Sequence, residues 1–333
     1  MMPRPILRNA FNVTYRKIPV LALGREVYCD TSIILEALEH FFPAPAHPSL
    51  YPRAADGRDN RALMRGFASY WTDRPLFRVT TGLIPSSVWR TSFGADRGQL
   101  IGHKLDADKL EKKVPRNLSS LDLHLSLLEP QLRQSMNAEK PWIFSTPTPS
   151  LADLSLGYQL RWGIDIAAGR GIYNLTGGGT SDTSAPVTDA VFNSSRYPAV
   201  LSWFEAFESF VSKLPSTETR VEEGSNGSTW QNDIAQCAAR TDAELLLPTP
   251  APPHVESDRN LGLVPGAQVS VAPDDTGRDD PTFGTLVALS PEEVVIQPRE
   301  TQGDEKRGWR VNVRIHFPRL GFVVRPIDSK ANL

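Results

Sequence analysis

Three observations predict an α+β chain of unlike parts. A strand-turn-strand-helix pattern opens the sequence, a long middle region repeats apolar residues at helical spacing, and short alternating runs bounded by turn residues close it. At 333 residues the chain exceeds what a single core usually accommodates, so these stretches read as separate units.

The first unit covers residues 1–45. "IPVLAL" suits a buried strand, Gly24-Arg25 turns the chain, and "EVYC" returns beside it as a hairpin partner. A helix follows. Asp30, Thr31 and Ser32 are all good N-cap residues, and Ile34, Leu35, Leu38 and Phe41 or Phe42 supply its apolar stripe. Pro43 and Pro45 stop it.

Residues 55–215 are helical in pattern. Leu63, Phe67, Tyr70 and Trp71 share one spacing, and Leu118, Leu121, Leu125 and Leu128 another, with Pro130 expected to end or kink that helix. Ser150 and Asp153 stand at capping-box spacing before "LADLSLGYQLRW", with Asp in the place usual for Glu or Gln, so both are assigned to folding. Val200, Phe204, Phe207, Val211 and Leu214 mark a last helical face, and the Gly177–Gly179 run between reads as a loop. Residues 216–260 form a polar and proline-rich linker with a short helix. From 261 to 333, "AQVSVAP", "FGTLVALS", "EVVIQ", "WRVNVRIHF" and "GFVVRPI" read as strands of a small β module. Its size is marginal for independent folding, so it is expected to pack on the helical part.

Bulk properties exclude several function classes. A net charge of −2 leaves no basic excess for nucleic acid. No run of about 18 apolar residues or signal-like start occurs, so no membrane is implied and a cytoplasmic setting is expected. The two cysteines, Cys29 and Cys237, suggest neither disulfides nor zinc, and Cys29, on a strand, reads as buried. The six histidines, including His40, His103, His124 and His316, lack ligand spacing, so no metal is expected.

The order of "YRKIPVL", "CDTSII" and "PSLADL" resembles the glutathione S-transferase superfamily, in particular fungal glutathione transferase-like proteins with a C-terminal extension, over residues 3–214. The resemblance implies a partial thioredoxin-like segment, an all-α transferase C-terminal-like domain, glutathione as co-substrate and a possible homodimer. It implies that Ile18, before a cis Pro19, holds the cysteine of glutathione through its backbone, as an added strand would be held. Asp30 and Thr31, at an uncapped helix start, would bind the γ-glutamyl end, and Lys17 the other carboxylate. Taken singly, Ile-Pro is equally an ordinary edge strand and Asp-Thr-Ser an ordinary cap.

The family's catalytic Tyr, Ser or Cys lies in an opening strand-helix-strand unit, to which nothing in this sequence corresponds, so the catalytic residue is unknown. Tyr15 falls after that position. Two functions follow: a transferase-like protein that joins glutathione to an electrophilic small molecule, or uses it in isomerisation or elimination, and a non-catalytic binding or scaffold protein. Tyr70, Trp71 and Trp162 could line an electrophile pocket, although aromatic residues on helices are more often core.

Overall fold

The computed structural model describes residues 4–137, 141–167, 187–216, 229–299 and 311–327. The Gly177–Gly179 run, linker residues 217–228 and the start of "WRVNVRIHF" lie outside them. The fold is α+β, and the chain divides into two compact units. One gathers residues 1–47, 100–102 and 219–333, the other residues 48–99 and 103–218.

Among the described residues, the first unit is built on a seven-stranded sheet of order β1-β2-β6-β5-β4-β3-β7. The strands are β1 (Val20–Leu23), β2 (Glu26–Cys29), β3 (Gln268–Pro273), β4 (Thr282–Leu289), β5 (Glu293–Pro298), β6 (Arg314–Pro318) and β7 (Phe322–Pro326). Gly24, at φ +61°, supplies the left-handed residue that the two-residue turn between β1 and β2 requires. Beyond the hairpin, β2 pairs in parallel with β6, Glu26 opposite Arg314 and Tyr28 opposite His316. The stretches 1–45 and 261–333, expected as separate pieces, are therefore continuous through the sheet. The C-terminal strands extend the hairpin. The physical reason is β2: its four residues are all buried, so its backbone groups need a partner on each side.

Residue alternation gives the sheet two apolar faces. Val27, Cys29, Val294, Ile296, Ile315 and Phe317 join Ala10 and Phe11 of helix α1 (Pro5–Phe11) on one side. On the other, Tyr28 packs with Ile33, Ile34 and Ala37 of helix α2 (Thr31–Phe41) and with Leu247.

In the second unit, α3 (Arg61–Gly66) runs into a π-helical stretch, Phe67–Leu76, and then α4 (Phe77–Thr81). Met64, Ala68, Thr72, Leu76 and Thr80 are buried, one every fourth residue. Wider π turns hold that spacing on one face, so Tyr70, expected inside from α-helical spacing, is 60% exposed; Leu63, in α3 beside the buried Met64, is likewise 61% exposed. After the short helices α5 (Ser86–Trp89), α6 (Ser92–Ile101) and α7 (Ala107–Glu111) comes α8 (Val114–Asn137), which continues through Pro130. Its buried stripe of Leu121, Leu125, Leu128 and Leu132 continues on both sides of the proline. The remaining long helices are α9 (Leu151–Ala167) and α10 (Pro198–Ser212). The inward face of α10 centres on Ala199, Val200, Trp203 and Phe207, whereas Leu214 is 47% exposed.

Asp153 organises the start of α9. Its carboxylate accepts from the Ser150 N–H and hydroxyl at 2.9 and 2.7 Å, the Ile143 N–H at 2.8 Å and the Trp203 indole N–H at 3.1 Å. Burial raises its pKa, and the four donors pull it back. Ser150 and Asp153 thus tie the helix start to the 143 loop and to α10.

Candidate functional site

Val20 lies opposite Cys29, so the residues just beyond them, Ile18-Pro19 and Asp30-Thr31, emerge at the same end of the hairpin. The Ile18–Pro19 peptide bond is cis. Ile18 is 63% exposed, and among the described residues β1 pairs with β2 alone. The outer edge of β1 therefore ends beside an exposed Ile-Pro step, a geometry that suits addition of an extended ligand.

Asp30 has φ +88°, rare for a non-glycine residue, and its carboxylate accepts from the Ser32 N–H at 3.0 Å and the Ser32 hydroxyl at 2.6 Å. Asp30 thus caps the start of α2, as the N-cap reading of this stretch predicts, where the resemblance implies an uncapped start. One of the first-turn N–H groups is occupied, while Thr31 stands exposed at the first helical position. Lys17, the expected carboxylate contact, pairs with Asp275 at 2.6 Å. The Tyr15 hydroxyl is 3.4 Å from the second Asp30 oxygen and Tyr15 is 5% exposed. Burial and the Asp30 charge push the phenol well above its usual range. Cys29 is fully buried, and burial raises its thiol in the same way. Neither group is poised to ionise near neutral pH.

The structure brings Ile18, Pro19, Asp30 and Thr31 together at one end of the hairpin, with Lys17 next in sequence and turned to an internal partner. Ser150 and Asp153 lie in the other unit at the α9 cap.

A second cluster escaped the sequence reading. His316 is 0% exposed, with Nδ1 2.6 Å from Glu293 Oε1 and Nε2 2.8 Å from Glu26 Oε2. Arg314 also donates to Glu26, through Nε at 3.0 Å and through Nη2, and it bonds the Arg240 carbonyl. Leu247 N–H donates to the other Glu293 oxygen at 2.7 Å, and Tyr28 stacks on the imidazole at 4.3 Å between centroids. Burial works to raise the Glu26 pKa, but the bonds from His316 and Arg314 outweigh it and lower the value to about 2. For His316, burial favours the neutral ring, and the two carboxylates override it and raise the pKa. The available signal was alternation: "EVV" and "RIH" place charged residues on the inward face of otherwise apolar strands.

Among the described residues, no helix is long and apolar enough to cross a membrane, and no group of His, Cys, Asp and Glu is arranged to hold a metal. A family model described as a domain of unknown function (DUF7962) matches residues 80–172. No curated protein matches the chain. Among solved structures, the chain is similar to a GST-like protein from Pseudomonas syringae at 22% identity, over 98% of this chain and 87% of that one, with a TM-score of 0.55. That likeness shows the fold alone, an α+β arrangement of a thioredoxin-like sheet segment and a helical domain.

Proposed function

We propose that the protein is a glutathione S-transferase-like protein that binds glutathione at the cis-proline end of the hairpin and joins it to an electrophilic small molecule, or uses it in isomerisation or elimination. The observation carrying this reading is the juxtaposition of an exposed edge-strand Ile18-Pro19 step with the Asp30-Thr31 start of α2. The first offers backbone groups for the peptide's middle residue; the second offers a hydroxyl, a carboxylate and a helix N-terminus for its γ-glutamyl end. The unusual backbone of Asp30 supports a role beyond capping, since strained positions cluster where ligands are held. Lys17 joins the site by exchanging Asp275 for a ligand carboxylate. In this reading the protein works in the cytoplasm and as a homodimer.

Calorimetric titration of the full chain with glutathione tests the binding. Asp30→Asn keeps the oxygen that caps Ser32 while removing the charge, so it separates ligand binding from helix capping. Saturable binding, weakened in Asp30→Asn and in Thr31→Ala, supports the site. Folded protein that binds no glutathione at millimolar concentration rejects it. One observation favours a non-catalytic binding protein instead: Tyr15 and Cys29, the thiol-activating types near Ile18, are buried and hard to ionise. Turnover of glutathione with a model electrophile distinguishes the two, because a binder without catalysis leaves the solution rate unchanged.

A further inference from the structure

The Glu26–His316–Glu293 cluster joins β2, β6 and β5, and so fastens the N-terminal hairpin to the C-terminal strands. A neutral imidazole has one N–H, whereas His316 presents both ring nitrogens to carboxylate oxygens at hydrogen-bond distance. Both contacts are attractive only if the cluster carries one further proton, which makes His316 an imidazolium between two acceptors. The charged and titratable groups packed around it are Glu26 and Tyr28 on β2, Glu293 on β5 and Arg314 on β6, with Arg240 approaching Tyr28 from the 240–247 segment. With His316 protonated, Glu26 and Glu293 are balanced by Arg314 and His316. Without that proton, one negative charge is left uncompensated in a site closed to water, and a ring lone pair faces a carboxylate.

We infer that this cluster is a proton-held latch, which keeps the hairpin bearing Ile18-Pro19 and Asp30-Thr31 locked to the C-terminal strands and loosens it when the shared proton leaves. The latch stands on the buried geometry and does not depend on what the hairpin binds. Its sign follows from the direction of the His316 shift. A histidine whose folded pKa is raised contributes stability that is fully present below its unfolded value of about 6.5 and is lost as pH rises through the folded value. The proton belongs to the cluster as a whole, so the titration seen is that of the coupled groups.

Glu293→Gln gives a sharp test. The amide that replaces the Glu293 carboxylate keeps an oxygen for the Leu247 N–H and turns an N–H toward His316 Nδ1. A neutral His316 then donates through Nε2 to Glu26, and every group is paired without the extra proton. Hydrogen exchange of the full chain, corrected for intrinsic rates, is read on peptides covering residues 20–29 from pH 6.5 to 10. The expected result is a protection factor that falls at least tenfold with rising pH in the wild type and stays flat in Glu293→Gln. Equal slopes in the two proteins overturn the latch. Should Glu293→Gln fail to fold, a chain with His40, His47, His103, His124 and His254 replaced by Gln leaves His316 as the single histidine for nitrogen NMR. Two protonated ring nitrogens at pH 7.5 support the latch, and a neutral tautomer there overturns it.

Discussion

Replacing Asp153 by Ala removes the common acceptor of the Ser150 N–H, the Ser150 hydroxyl, the Ile143 N–H and the Trp203 indole N–H, in a site with 0% exposure. Each buried donor left without an acceptor costs at least ~1 kcal/mol, so four of them give a loss of about 4 kcal/mol. Asp153→Asn has nearly the same shape but keeps one accepting oxygen. Its amide N–H2 must face either the Ser150 pair or the Ile143 and Trp203 pair, so about half the loss, ~2 kcal/mol, is expected. Urea unfolding followed by tryptophan fluorescence reads this directly, because Trp71, Trp89, Trp142, Trp162 and Trp203 all belong to the unit that contains Asp153. The expected order of midpoints is wild type, then Asn, then Ala, with the denaturant slope unchanged. If Asp153→Ala lies within ~1 kcal/mol of wild type, the four bonds do not hold the α9 start, and the argument from unsatisfied donors fails.

Gly157→Ala places a methyl carbon in overlap with the Phe207 ring, which is fully buried and stacked on Trp203, so a loss of roughly 1–3 kcal/mol is expected in the same unfolding assay. At Gly94 the new carbon would overlap the Trp89 backbone carbonyl, so Gly94→Ala must displace the α5–α6 turn and lower the thermal midpoint. Glu129 accepts from the Ala199 and Val200 N–H groups at the start of α10 and from Arg133. Burial opposes its ionisation, yet these bonds hold its pKa below the usual value. Its contribution is therefore present above about pH 4.3 and lost as pH falls through the folded value. Glu129→Gln should cost ~1–2 kcal/mol at pH 7 and progressively less in acid, which urea titrations at pH 7 and pH 3 compare.

Local chemistry made much of the fold legible. The hairpin needs a left-handed residue at Gly24, α2 needs an acidic cap at Asp30, and α9 needs the Ser150-Asp153 pair; each is a contact within a few residues that spacing alone specifies. The C-terminal strands β3 to β7 among the described residues were likewise visible as alternating runs. Helical faces were less secure. The π turns of Phe67–Leu76 changed the burial period from 3.6 to about four, which no α-helical template anticipates, and Pro130 sits inside α8 because packed leucines flank it on both sides.

The amino-acid sequence by itself determined the element types, the caps and the residues that cluster at the cis-proline end of the hairpin, because all of these depend on neighbours close along the chain. Only the tertiary structure decided what those elements join. Pairing of β2 with β6 spans nearly the whole chain, and it converts two stretches expected apart into one sheet. The same pairing brings Glu26 to His316, whose other ring nitrogen meets Glu293. Alternation along a strand says which side chains point inward, but which charged residue will face which is fixed by strand order and register, and those are settled by the long-range burial of backbone groups that no local pattern records.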